Sequence, residues 1–188
     1  MKLNEKGFLA YKLINSSFTG LSVGILFTIY QPLDPSTYSI GGIVLAGSML
    51  LIAKFYDKLL NIQSFYLISI IVELVMLVTL IIFMALQFSL TSALLIYMGY
   101  QLTFIFGGYL VRAETLVAKE SKFLGKIDVN KQIGYLVGLA TSFFFYKLLE
   151  YGFEISEPKI QINILHYFLI TLQILIILLL IKSFKSKK

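Results

Sequence analysis

Phe65–Leu86 reads FYLISIIVELVMLVTLIIFMAL, an apolar run with one charged side chain, Glu73. At about 1.5 Å rise per residue it matches a hydrocarbon core of roughly 30 Å, so it predicts a helix that crosses a bilayer. Outward from it in both directions the chain repeats the theme, with predicted spans at about 13–30, 38–56, 64–86, 90–111, 132–151 and 161–181. The 188 residues are 58% hydrophobic and 14% charged, with a mean hydropathy of +0.86. That leaves too little polar surface for a water-soluble globule. The expected fold is all-α: a polytopic membrane protein whose residues 1–188 make one six-helix transmembrane domain.

The basic residues orient it. Of the 16 Lys and Arg, only Lys147 and Lys159 fall on the outer side when the amino terminus is placed inside. Loops 31–37 and 87–89 carry no positive charge, whereas 54–63 and 112–131 are rich in it. This is the positive-inside pattern, and it predicts both termini in the cytoplasm and a multi-pass protein of the cell membrane, a bacterial inner or a plasma membrane. Orientation accounts for the net charge of +6, so no nucleic-acid partner is expected. With no Cys and one His, disulfides, thiol chemistry and a conventional zinc site are excluded, and no cofactor or metal is expected. No nucleophile, base and third group recur at a recognisable spacing, which argues against an enzyme. The charged first twelve residues and the lack of an Ala-x-Ala signal make the first run a retained span.

Gln31-Pro32-Leu33-Asp34-Pro35-Ser36-Thr37 is read as an outer turn, and Gln87-Phe88-Ser89 as a tight outer hairpin that makes spans three and four antiparallel neighbours. Segment 112–131 mixes charges with Leu116, Val117, Phe123 and Leu124, which predicts a cytoplasmic amphipathic helix on the inner surface.

Between spans two and three stands Ala53-Lys54-Phe55-Tyr56-Asp57-Lys58-Leu59-Leu60, and in span five Gly134 and Gly138 stand four apart. With six spans and a long basic loop after the fourth, the chain resembles one six-helix half of a major facilitator superfamily transporter. Asp57 and Lys58 match the Asp-Arg/Lys of that family's gate motif, while Ala53 and Leu60 stand at its glycines and Leu139 at the proline of its fifth-span motif. The resemblance implies a second half. A parallel homodimer would then enclose a central cavity near the midplane, with Asp57 facing the partner's fifth helix near Asn130-Lys131-Gln132. Gly134 and Gly138 are expected to serve helix packing.

Within the spans, polar residues mark candidate sites. An acid near the membrane centre costs roughly 2.5–3.5 kcal/mol, so Glu73 is expected to face the interior, paired or protonated, as a proton-coupling or cation-binding group. His166 is a second candidate for that role, set near the outer surface. Asn15, Thr19, Ser22 and Tyr30 form a polar stripe on span one, and Tyr97, Gln101 and Phe104 one on span four; these are the cavity-lining candidates, suited to a neutral or amphipathic small molecule. Lys147 and Glu150 can pair, and Glu114 is read as a solvated partner of the loop lysines. Together these residues suggest a secondary transporter working by alternating access and coupled to protons. The alternatives are a six-span substrate-binding subunit of an ATP-driven importer, for which Ser16, Gly20 and Gly24 offer a docking face, and a non-transporting assembly protein.

Overall fold

A computed structural model describes the backbone of residues 1–29 and 34–185, and the side chains of 1–25 and 34–185. Helix α1 runs Glu5–Ile29. Helix α2, Pro35–Lys54, opens on a proline whose missing N–H costs nothing there, with Asp34 accepting from the Ser36 amide at 2.8 Å. A single turn, α3 (Tyr56–Leu59), leads to α4, Ile62–Leu86, which Asn61 caps by accepting from the amides of Gln63 and Ser64. It ends at Gln87, whose φ of 49° stops a helix. Helix α5, Leu90–Ala118, is capped by Ser89 and closed by Lys119 at φ 60°. Helices α6, Ser121–Gly152, and α7, Pro158–Ser183, complete the bundle.

Among the described residues five helices, α2, α4, α5, α6 and α7, are long and apolar enough to cross a bilayer, and the chain is a helical membrane protein. Helix α1, whose last four side chains lie outside the described residues, carries Glu5, Lys6, Lys12 and Asn15 in its first half. It packs along α6 and along α7. Helix α4 packs on α5 and α7, and α2 packs on α5. Exchanging the first three long helices for the last three maps α1·α6 onto α5·α2 and α1·α7 onto α5·α4, and it leaves α4·α7 in place. The two halves of the chain therefore pack in one pattern, although three helices per half give them opposite starting ends.

The α1/α6 contact is backbone on backbone. A Cβ on Gly134 would collide with Leu13 O, one on Gly138 with Ser17 O, and one on Gly20 with Tyr135 O. Close approach of this kind is how helices associate where lipid removes the hydrophobic drive. At one end of the bundle β1 (Lys2–Leu3) pairs antiparallel with β2 (Phe184–Lys185), and Phe184 packs against Phe8, Phe65 and Tyr66. The two terminal segments thus share one end of the bundle. At the other extreme, α2 has no buried residue.

Segment 112–131 departs from expectation. It is not a separate surface helix: α5 continues through Ala118, α6 starts at Ser121, and a two-residue break joins them. The reason is burial, because Ala113, Ala118, Phe123 and Ile127 are drawn into the core and hold both helix ends against the bundle. Consequently Asn130-Lys131-Gln132 lies inside α6 and offers no free helix amides to Asp57. The second helix is shifted from the predicted 38–56 to 35–54, and the last two overrun the predicted 132–151 and 161–181, reaching 121–152 and 158–183.

Candidate functional site

Glu73 is 4% exposed on α4 and is held by three side chains from two other helices. Tyr11 Oη donates to Glu73 Oε1 at 2.6 Å, Asn15 Nδ2 donates to the same oxygen at 2.9 Å, and Gln173 Nε2 donates to Oε2 at 2.8 Å. Gln173 Nε2 also reaches the Glu73 carbonyl oxygen at 3.0 Å. Tyr11 and Asn15 stand four apart on α1, so one helix face supplies both. All three contacts donate to Glu73, which is the set an ionised carboxylate accepts. A proton arriving on Glu73 needs an acceptor instead. Tyr11 can turn its hydroxyl to provide one, and Gln173 can turn its amide, whose Oε1 is buried without a hydrogen-bond partner among the described residues. Loading Glu73 with a proton therefore rearranges contacts to α1 and α7.

One residue along α1, Lys12 begins a second buried set. Its ammonium pairs with Glu114 of α5, which also holds Lys131 of α6; Lys131 in turn lies 3.6 Å from the exposed Asp128. Glu114 is 3% exposed, so the sequence reading of a solvated carboxylate does not hold. Lys12 also lies over the rings of Phe8 and Tyr11, at 5.2 and 5.4 Å. Glu73, Glu114, Lys12 and Lys131 together place two acids and two bases where five helices meet.

No family model, curated protein or solved structure matches the chain. The site therefore has to be read from its own chemistry.

The other candidates are distributed as follows. His166 is 2% exposed: it stacks on Phe83 at 3.9 Å and its Nδ1 meets Ile162 O at 2.8 Å. Ser22 is buried, whereas Thr19 is exposed with its hydroxyl on Asn15 O. Tyr97 and Gln101 line a groove of about 430 Å³ between α5 and α2 that no charged residue enters, and Phe104 lies outside it, exposed. The two predicted stripes do not meet in one pocket among the described residues. Tyr30 lies outside the described residues. Asp57 and Lys58 are exposed on α3, which Tyr109 ties to α5 through a 2.8 Å hydrogen bond to Leu59 O. Gly134 and Gly138 pack helices, and Lys147 pairs with Glu150 at 2.7 Å.

Sequence reasoning missed Tyr11, Lys12, Gln173 and Glu114 as partners. Gln173 carried a signal, an amide in the middle of an apolar run; Glu114 and Lys12 fall just outside the predicted spans 13–30 and 90–111, where charge is ordinary.

Proposed function

We propose that this chain is one half of a secondary transporter of the major facilitator type, acting as a parallel homodimer that moves a small neutral or amphipathic solute by alternating access, with Glu73 carrying the coupled proton. The observation that carries this is the buried Glu73 carboxylate, held by Tyr11, Asn15 and Gln173 in a way that ties its protonation to α1 and α7. An intramembrane acid so placed is a functional group before it is a structural one. The matching packing of the two three-helix halves supports the reading, since inverted repeats are how such carriers are built. So does the charge pattern: a strong bias toward one side favours copies inserted the same way. Helix α2, with no buried residue, supplies surface for the second copy. The uncharged groove beside Tyr97 and Gln101 fits an uncharged solute.

On this reading the protein lies in a cell membrane with both termini cytoplasmic, and all six long helices, α1 included, span it. The importer-subunit alternative is less favoured because Ser16 and Gly20, its docking face, lie against α6.

The test uses proteoliposomes on a solid-supported membrane electrode, challenged with a panel of uncharged and amphipathic solutes under an imposed pH step. Wild type is expected to give solute-evoked currents that Glu73→Gln loses while remaining folded. Equal currents from Glu73→Gln would remove the coupling role, and silence from a folded wild type across the panel would remove the transporter reading.

A further inference from the structure

Nearer the end of the bundle opposite the termini, the same three helices that hold Glu73 enclose a second polar layer. Ser22 is seven residues beyond Asn15 on α1, Thr79 six beyond Glu73 on α4, and His166 seven before Gln173 on α7. By helical rise that places the layer about 10 Å from the carboxylate. These side chains, with Tyr100 of α5, line a small crevice whose other walls are Ile25, Leu80, Phe83, Ile96 and Leu169. Its volume is about 10 Å³, roughly that of a single water-sized sphere. Gly99 lets α5 approach this closely, since a Cβ there would strike Thr79 Oγ1.

The hydrogen-bond inventory of the crevice is one-sided. Ser22 Oγ donates to Thr19 O at 3.2 Å and Thr79 Oγ1 donates to Val75 O at 2.8 Å, so the protons of both hydroxyls are committed. Tyr100 is hydrogen-bonded to Ser22. His166 Nδ1 faces a carbonyl, which can only accept; Nδ1 therefore carries the hydrogen and the neutral ring keeps its lone pair on Nε2. On Thr79 and His166 what remains is acceptor positions alone.

We propose that this crevice is a binding site for one water molecule, which donates one hydrogen to His166 Nε2 and the other to a hydroxyl oxygen of Thr79 or its neighbours. Water is the occupant of choice over ammonium because no Asp or Glu lines the crevice to balance a cation, while a neutral double donor satisfies the acceptors at no charge cost. The water joins α1, α4, α5 and α7 at one level. It also makes the site reversible: a proton on Nε2 turns that acceptor into a donor, and the water turns to accept. This holds whether or not the chain transports a solute.

The chain has one histidine, so 15N-histidine labelling in nanodiscs yields a single ring to observe. Expected are a protonated Nδ1, an unprotonated but hydrogen-bonded Nε2, and magnetisation transfer from water to the ring. In Thr79→Val the transfer falls severalfold while Nδ1 keeps its bond to Ile162 O. A ring protonated at Nε2 alone, or no transfer from water in the wild type, overturns the site; because both are read on the wild-type protein, the outcome does not depend on the variant folding.

Discussion

Glu114 illustrates what burial does to a charge that looks ordinary in sequence. Its carboxylate faces two ammonium groups from two other helices, and both lysines depend on it. Removing one member of a buried ion cluster leaves the others uncompensated, typically at a cost of about 3–5 kcal/mol. Glu114→Gln is therefore expected to lower unfolding free energy in mixed micelles by an amount in that range, and adding Lys131→Met is expected to recover part of it. A change within about 0.5 kcal/mol, the usual range for surface substitutions, would show the cluster to be solvated. Glu73 was legible from sequence because a lone acid in an apolar run stands out. Tyr11 and Gln173 were not legible as its partners, since nothing local says which face of α1 or α7 will meet α4. The surroundings of His166 were not legible for the same reason: distance from a helix end says little about whether a ring turns outward or inward onto Phe83.

Among the helices, the decisive contact is α1 on α6. Gly138→Ala is expected to cost about 1–3 kcal/mol, because the added methyl meets the Ser17 carbonyl and the helices must part. Gly42→Ala, with nothing within 4 Å of the new methyl, is expected to be neutral or mildly stabilising. Denaturation of the two variants side by side checks the pair, and an equal effect of both would mean that the glycines act through helix propensity alone. The spacing of Gly134 and Gly138 already pointed to packing, but not to α1 as the partner. Segment 112–131 was read as a surface helix from its mixed composition. Composition could not show that Phe123 and Ile127 pack inward or that Lys119 adopts a left-handed φ.

For the whole molecule, the proposed homodimer predicts a mass of twice 21.3 kDa in native nanodiscs, with mixed pairs forming when tagged and untagged copies are expressed together. A monomer under those conditions removes the shared cavity. Orientation is checked separately. The chain lacks cysteine, so Lys2→Cys and Glu157→Cys each supply a lone thiol on an exposed residue. An impermeant maleimide applied to intact cells is expected to label position 157 and spare position 2, and the reverse pattern would invert the topology. The sequence by itself determined that this is a helical membrane protein with a basic face and a single deeply placed acid, because hydropathy, charge bias and breakers are local properties that the bilayer reads directly. Only the tertiary structure decided which helices touch, that α1 packs along both α6 and α7, and that Glu73, Glu114 and the His166 ring are each buried against side chains far away in sequence. Those outcomes depend on how six faces are distributed among neighbours, and that is settled by packing across the bundle.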